Sequence, residues 1–132
     1  MTRICLDTSA YSHFKRGQPE VVDTIVQAGW IGFPSVALGE LRTGFALGSR
    51  KRENETELLA FLQYPVVHIL DVTAATSLLY AAMVVALRHQ GTPLPTNDIW
   101  IASLAVQAEA ILLTCDAHFR EIDRVALHHV NP

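Results

Sequence analysis

A three-layer α/β/α fold around a central, mainly parallel sheet is what this sequence predicts, and two observations carry the prediction. Short apolar runs of strand length, such as Arg3-Ile4-Cys5-Leu6 and Ala110-Ile111-Leu112-Leu113-Thr114, alternate with longer helix-patterned segments. That alternation buries a parallel sheet between two helical layers. The chain is also long enough, at 132 residues of which 50% are hydrophobic and 17% charged, to bury a real core as a single domain over 1–132. The apolar surplus points to a hydrophobic surface covered by a partner or a second copy.

In chain order, the first strand-like run ends in Asp7, and Asp7-Thr8-Ser9 offers capping oxygens for a helix reaching Lys15-Arg16, stopped by Gly17. Pro19 to Ala28 fits a second helix with proline in its first turn and Gly29 after its end. Trp30 to Phe33 reads as a strand, and Pro34-Ser35 opens a helix to Leu47 that carries Glu40. Glu40 shares its helical face with Val36 and Gly44, an apolar and small-residue stripe where a solvated glutamate is out of place. Ser49 is positioned to cap a further helix to Gln63, with Leu58, Leu59 and Phe61-Leu62 inward. The Arg50-Lys51-Arg52 triplet at its start reads as a solvated face supported by nearby glutamates rather than a phosphate grip.

Val66 to Leu70 is strand-like, and Asp71-Val72-Thr73 leads a helix from Ala74 to His89, ended by Gly91. Its ten-residue apolar run, Leu78 to Leu87, falls short of the roughly 20 residues of a membrane span and predicts a buried helix. Gly91-Thr92-Pro93-Leu94-Pro95 delivers Thr96-Asn97-Asp98 to the next helix start, where Asn97 can cap and leave Asp98 free. After the strand 110–114, Asp116-Ala117-His118-Phe119 forms a tight turn, in which the His118 ring is expected to pack or cap locally. Arg120 to His129 reads as a short helical turn and an edge strand.

Right-handed crossovers bring the carboxyl ends of parallel strands to one edge, where ligand crevices form. Asp7 and Asp116 follow strands, and Glu40 and Asp98 lie near helix starts at the same edge, so the four acids are expected to converge. The stretch TNDIWIASLAVQAEAILLTCDAHF holds two of them and contains no Lys or Arg, so a divalent cation is the simplest compensation. Carboxylates without paired His or Cys make a hard oxygen site that suits Mg²⁺ or Mn²⁺ and phosphoryl-transfer chemistry. Thr8, Ser9 and Thr114 carry short hydroxyls placed to orient the acids, and Asn97 stands beside Asp98. Cys5 and Cys115 lack zinc-site spacing and are read as reduced thiols on neighbouring strands.

The segments Asp7-Thr8-Ser9, Glu40-Leu41-Arg42-Thr43-Gly44, Pro95 to Ala102 and Leu113 to Phe119 together resemble the PIN-domain pattern, in the form of the VapC-type toxins of prokaryotic toxin–antitoxin pairs. The match runs from Ile4 to Phe119 in the right order and loosens after it. The resemblance implies a Mg²⁺- or Mn²⁺-dependent endoribonuclease acting on tRNA, rRNA or mRNA. It implies a homodimer held inactive by a cognate VapB-like antitoxin whose peptide occupies the acidic groove. Carried over by position, Asp7, Glu40, Asp98 and Asp116 are the catalytic quartet. Asp7, Asp98 and Asp116 then bear on the metal, Glu40 acts through water, and Asp116 is the most variable in role.

The formal charge of −3 argues against a general nucleic-acid coat but not against a nuclease whose acids hold metal. The N-terminus enters a strand without an apolar leader segment, so a cytoplasmic location is expected. Two other classes compete. A PIN-fold binding module with a silent site, docking RNA or protein, would be favoured by loss of any acid of the quartet. A receiver-like phosphoacceptor domain would need a paired acid beside Asp7, which Thr8 and Ser9 do not supply.

Overall fold

The computed structural model describes residues 2–132. Its five strands are β1 (Arg3–Leu6), β2 (Trp30–Pro34), β3 (Val67–Leu70), β4 (Ile111–Thr114) and β5 (Leu127–His129). They form one sheet in the order β3-β2-β1-β4-β5, every neighbouring pair parallel. Six helices cover it: α1 (Thr8–Lys15), α2 (Pro19–Gln27), α3 (Ser35–Leu47), α4 (Lys51–Leu62), α5 (Ala74–Gln90) and α6 (Thr96–Gln107). A 3-10 turn, Ala117–Glu121, links β4 to the edge strand β5. The expected α/β architecture is therefore present, with helix pairs joining the first four strands.

The central strands are apolar because helices cover them. Ile4 on β1 registers with Ile31 on β2 and Ile111 on β4, and Leu6 with Leu113. Ile4, Leu6, Ile31, Phe33, Leu112 and Leu113 are buried. Tyr11 of α1 and Phe61 of α4 meet edge-on at 5.3 Å between ring centroids, and Phe61 meets Phe33 at 5.8 Å. These rings tie two helices to the middle of the sheet. Gly32 in β2 permits a close approach, since a Cβ there would lie 2.6 Å from Leu70 Cδ1.

Three expectations are corrected. Ser49 does not cap α4, which starts after Arg50 with no side-chain cap. Its first turn is supported instead by Arg50 Nε donating to Glu53 at 2.7 Å. Leu59 is exposed while Leu58 and Phe61 face inward, because one helical face holds residues three and four apart but not adjacent ones. The apolar run in α5 is not a buried helix. Thr76, Met83 and Leu87 face α6, whereas Leu78 is 76% and Val85 52% exposed. The inner contacts are the Tyr80–Trp100 stack at 3.7 Å and Thr76 Oγ1 donating to Gln107 Oε1 at 2.6 Å. No further layer among the described residues covers its outer face. Among the described residues no helix is long and apolar enough to cross a membrane.

Candidate active site

From β1 the chain first builds outward through β2 and β3, then crosses back to place β4 on the other flank of β1. The connections diverge between β1 and β4, and such a switch point opens a crevice at the carboxyl ends of the strands. Asp7 directly follows β1, and Asp116 follows β4 by two residues. Glu40 enters from α3 and Asp98 from the first turn of α6. The four acids line one cleft of about 240 Å³ with Thr8, Ser9 and Ile101. Two larger grooves lie elsewhere, about 460 Å³ around Tyr11, Lys15 and Arg50 and about 430 Å³ around Phe14, Ile25 and Val66. Neither gathers more than one carboxylate.

Asp7 is only 4% exposed, and its carboxylate is held from several sides. It caps α1 by accepting from Ala10 N at 2.8 Å, and Ser9 Oγ lies 2.8 Å from each of its oxygens. Thr114 Oγ1, reaching across from β4, donates to Asp7 Oδ2. Ser9 Oγ accepts from Cys115 N at 3.0 Å, and Thr114 Oγ1 accepts from Asp116 N at 2.9 Å. These hydroxyls thus clamp the ends of β1 and β4 together and aim both acids.

Glu40 accepts from Thr8 Oγ1 at 2.6 Å and from Asn97 Nδ2 at 3.4 Å. The Asn97 contact corrects the expectation that it caps α6. That helix begins after Pro95 with no side-chain cap, which places Asn97 inside the first turn with its amide toward α3. Asp116 caps the 3-10 turn, accepting from His118 N at 2.9 Å.

No Lys or Arg pairs with any of the four acids among the described residues. Burial and then the neighbouring Asp116, Glu40 and Asp7 push the Asp98 carboxyl up to about 6. Burial also raises Asp7, against the lowering pull of its hydrogen bonds from Thr114, Ala10 and Ser9. Mutual repulsion of half-buried carboxylates is relieved by a cation, and oxygen donors at this density fit a hard divalent ion.

His118, which the sequence reads as packing or capping locally, does contact its own turn through Asp116 and also stands beside Asp98. Its Nδ1 stands 3.3 Å from Asp116 Oδ1 and 4.0 Å from Asp98 Oδ2. One ligand atom each from Asp98, Asp116 and His118 lies within 4.8 Å of the others. The signal in the sequence was the Asp-x-His spacing, since an acid capping a tight turn folds the residue two places on back over itself. Cys5 is buried on β1 and Cys115 half-buried after β4, both free.

The family model for the PIN domain matches residues 4–125. Ribonuclease VapC2 of Rickettsia felis is 29% identical over 100 residues, covering 75% of this chain and 73% of that protein. The fold is similar to that in VapBC2 from Rickettsia felis bound to a DNA fragment from their promoter, with a TM-score of 0.88 and 23% identity over 98% of this chain and all 100% of that one. It is also similar to VapBC-1 from nontypeable Haemophilus influenzae, with a TM-score of 0.84 and 20% identity over 97% and 98% of the two chains.

Proposed function

From a chain that belongs to the PIN-domain family, we infer a ribonuclease toxin of VapC type: an endoribonuclease that requires Mg²⁺ or Mn²⁺ and is neutralised by a VapB-like antitoxin. The observation that carries this reading is the convergence of Asp7, Glu40, Asp98 and Asp116 in one cleft, with no Lys or Arg partner among the described residues. Similarity to a named ribonuclease and to toxin–antitoxin complexes supports the substrate class and the partner.

In this reading Asp7, Asp98 and Asp116 hold the cation. When bound, it supplies Lewis-acid charge stabilisation and acidifies water for an in-line attack on phosphorus. The chain supplies the rest. Thr114 and Ser9 fix the Asp7 carboxylate so that it does not rotate away when charge develops. Thr8 and Asn97 hold Glu40 at the rim, positioned to take a proton from an attacking water. The free N–H groups at the start of α6 favour the anionic form of Asp98, opposing the repulsion of its neighbours.

A cytoplasmic single domain acting as a homodimer completes the reading, with the bare face of α5 as the surface that a second copy covers. The test is cleavage of total cellular RNA by purified, antitoxin-free protein with Mg²⁺ or Mn²⁺, with chelator, and in Asp98→Asn. Discrete fragments that need the metal and vanish in the variant are expected. Equal cleavage by wild type and Asp98→Asn overturns the site assignment, and absence of cleavage by folded, metal-loaded protein favours a silent binding module.

A further inference from the structure

The acidic site accounts for carboxylates, but a nitrogen donor stands among them. We infer that His118 is a ligand of the same cation, closing a site with Asp98 and Asp116 that prefers Mn²⁺ to Mg²⁺; this rests on the metal-dependent reading above. Two ligand atoms bound to one octahedral ion at about 2.1 Å lie about 3.0 Å apart when adjacent and about 4.2 Å apart when opposite. The distances of His118 Nδ1 to Asp116 Oδ1 and Asp98 Oδ2, 3.3 and 4.0 Å, fall between those limits.

The placement comes from the backbone. Asp116 Oδ1 accepts from His118 N at 2.9 Å, so the turn that presents the acid also turns the imidazole toward it. Asp116 is itself held by the Thr114 hydroxyl, which places both groups relative to β4. The side chain is 61% exposed, so burial does not by itself hold the ring where it is. An imidazole nitrogen is a borderline donor; Mn²⁺, a first-row transition ion, tolerates it better than Mg²⁺, which favours oxygen ligands and retained waters.

The test uses the full chain loaded with Mn²⁺ and read by electron spin-echo modulation, which detects a directly bound ¹⁴N. Mn²⁺ and Mg²⁺ affinities are measured by calorimetry alongside. Wild type should show nitrogen modulation that disappears in His118→Gln, a variant expected to fold because the side chain is exposed. Mn²⁺ affinity should fall roughly tenfold or more, the scale of loss seen when even a ligand's supporting partner is removed, with a smaller change for Mg²⁺. Tight Mn²⁺ binding without nitrogen modulation, or modulation that persists in the variant, overturns the ligand role and leaves the acidic site standing. Failure of wild-type protein to bind Mn²⁺ at all overturns both readings. An ion pair between His118 and Asp116 would give no nitrogen signal.

Discussion

Asp98 sits where two electrostatic influences oppose each other. The start of α6 favours its charge, while burial and three other carboxylates disfavour it and hold its pKa at about 6. A carboxyl raised above its ordinary value of 3.8 contributes stability when protonated and loses it as pH rises through the folded value. The metal-free protein should therefore lose stability between about pH 4 and pH 7 in this contribution, and Asp98→Asn should flatten that slope. At pH 7 the variant should be more stable by about 1 kcal/mol, a figure reduced for the site's partial solvent access. Urea melts at both pH values check this, and a steeper slope in Asp98→Asn would contradict it. Asp7→Asn differs in kind, because the substitution puts an amide among donors from Ser9, Thr114 and Ala10. RNA cleavage should still be lost.

Element boundaries follow local chemistry where a single residue sets them. Gly91 ends α5 with φ of 75°, donating from its N–H to Arg88 O at 3.1 Å. A side chain in that left-handed conformation is strained, so Gly91→Ala should cost about 1 kcal/mol. The loss would appear as a lower thermal midpoint with metal affinity nearly unchanged, and an equal or higher midpoint would refute it. The adjoining Pro93-Leu94-Pro95 loop delivers Asp98, so a change of metal affinity in that variant would mean the loop transmits the strain. Where several polar residues compete for a cap, local reading goes astray. Ser49 and Asn97 both lie at helix starts, yet neither caps, and Asn97 is drawn toward Glu40 on another helix.

At the scale of the molecule, the outward stripe of Leu78, Ala81, Ala82 and Val85 on α5 is the apolar area that the composition foreshadowed. Replacing Leu78 and Val85 together by Asp should convert a dimer to a monomer in sedimentation at micromolar concentration. A wild-type chain already monomeric there would remove the dimer from the proposed function. The change should leave the fold intact, since neither side chain belongs to the core. Strand and helix order, the parallel sheet and the convergence of Asp7, Glu40, Asp98 and Asp116 at one edge were legible in the sequence. Periodicity reports which segments are covered, and a carboxylate amid apolar residues stands out against its cost of burial. Only the tertiary structure decided which groups meet: the Thr114 hydroxyl on Asp7, Asn97 on Glu40, and the His118 ring beside Asp98. These contacts join residues up to 107 positions apart, and their geometry depends on how β1, β4, α3 and α6 pack, which no local pattern encodes. The open face of α5 has the same origin, because apolar sequence records what is driven from water but not which partner covers it.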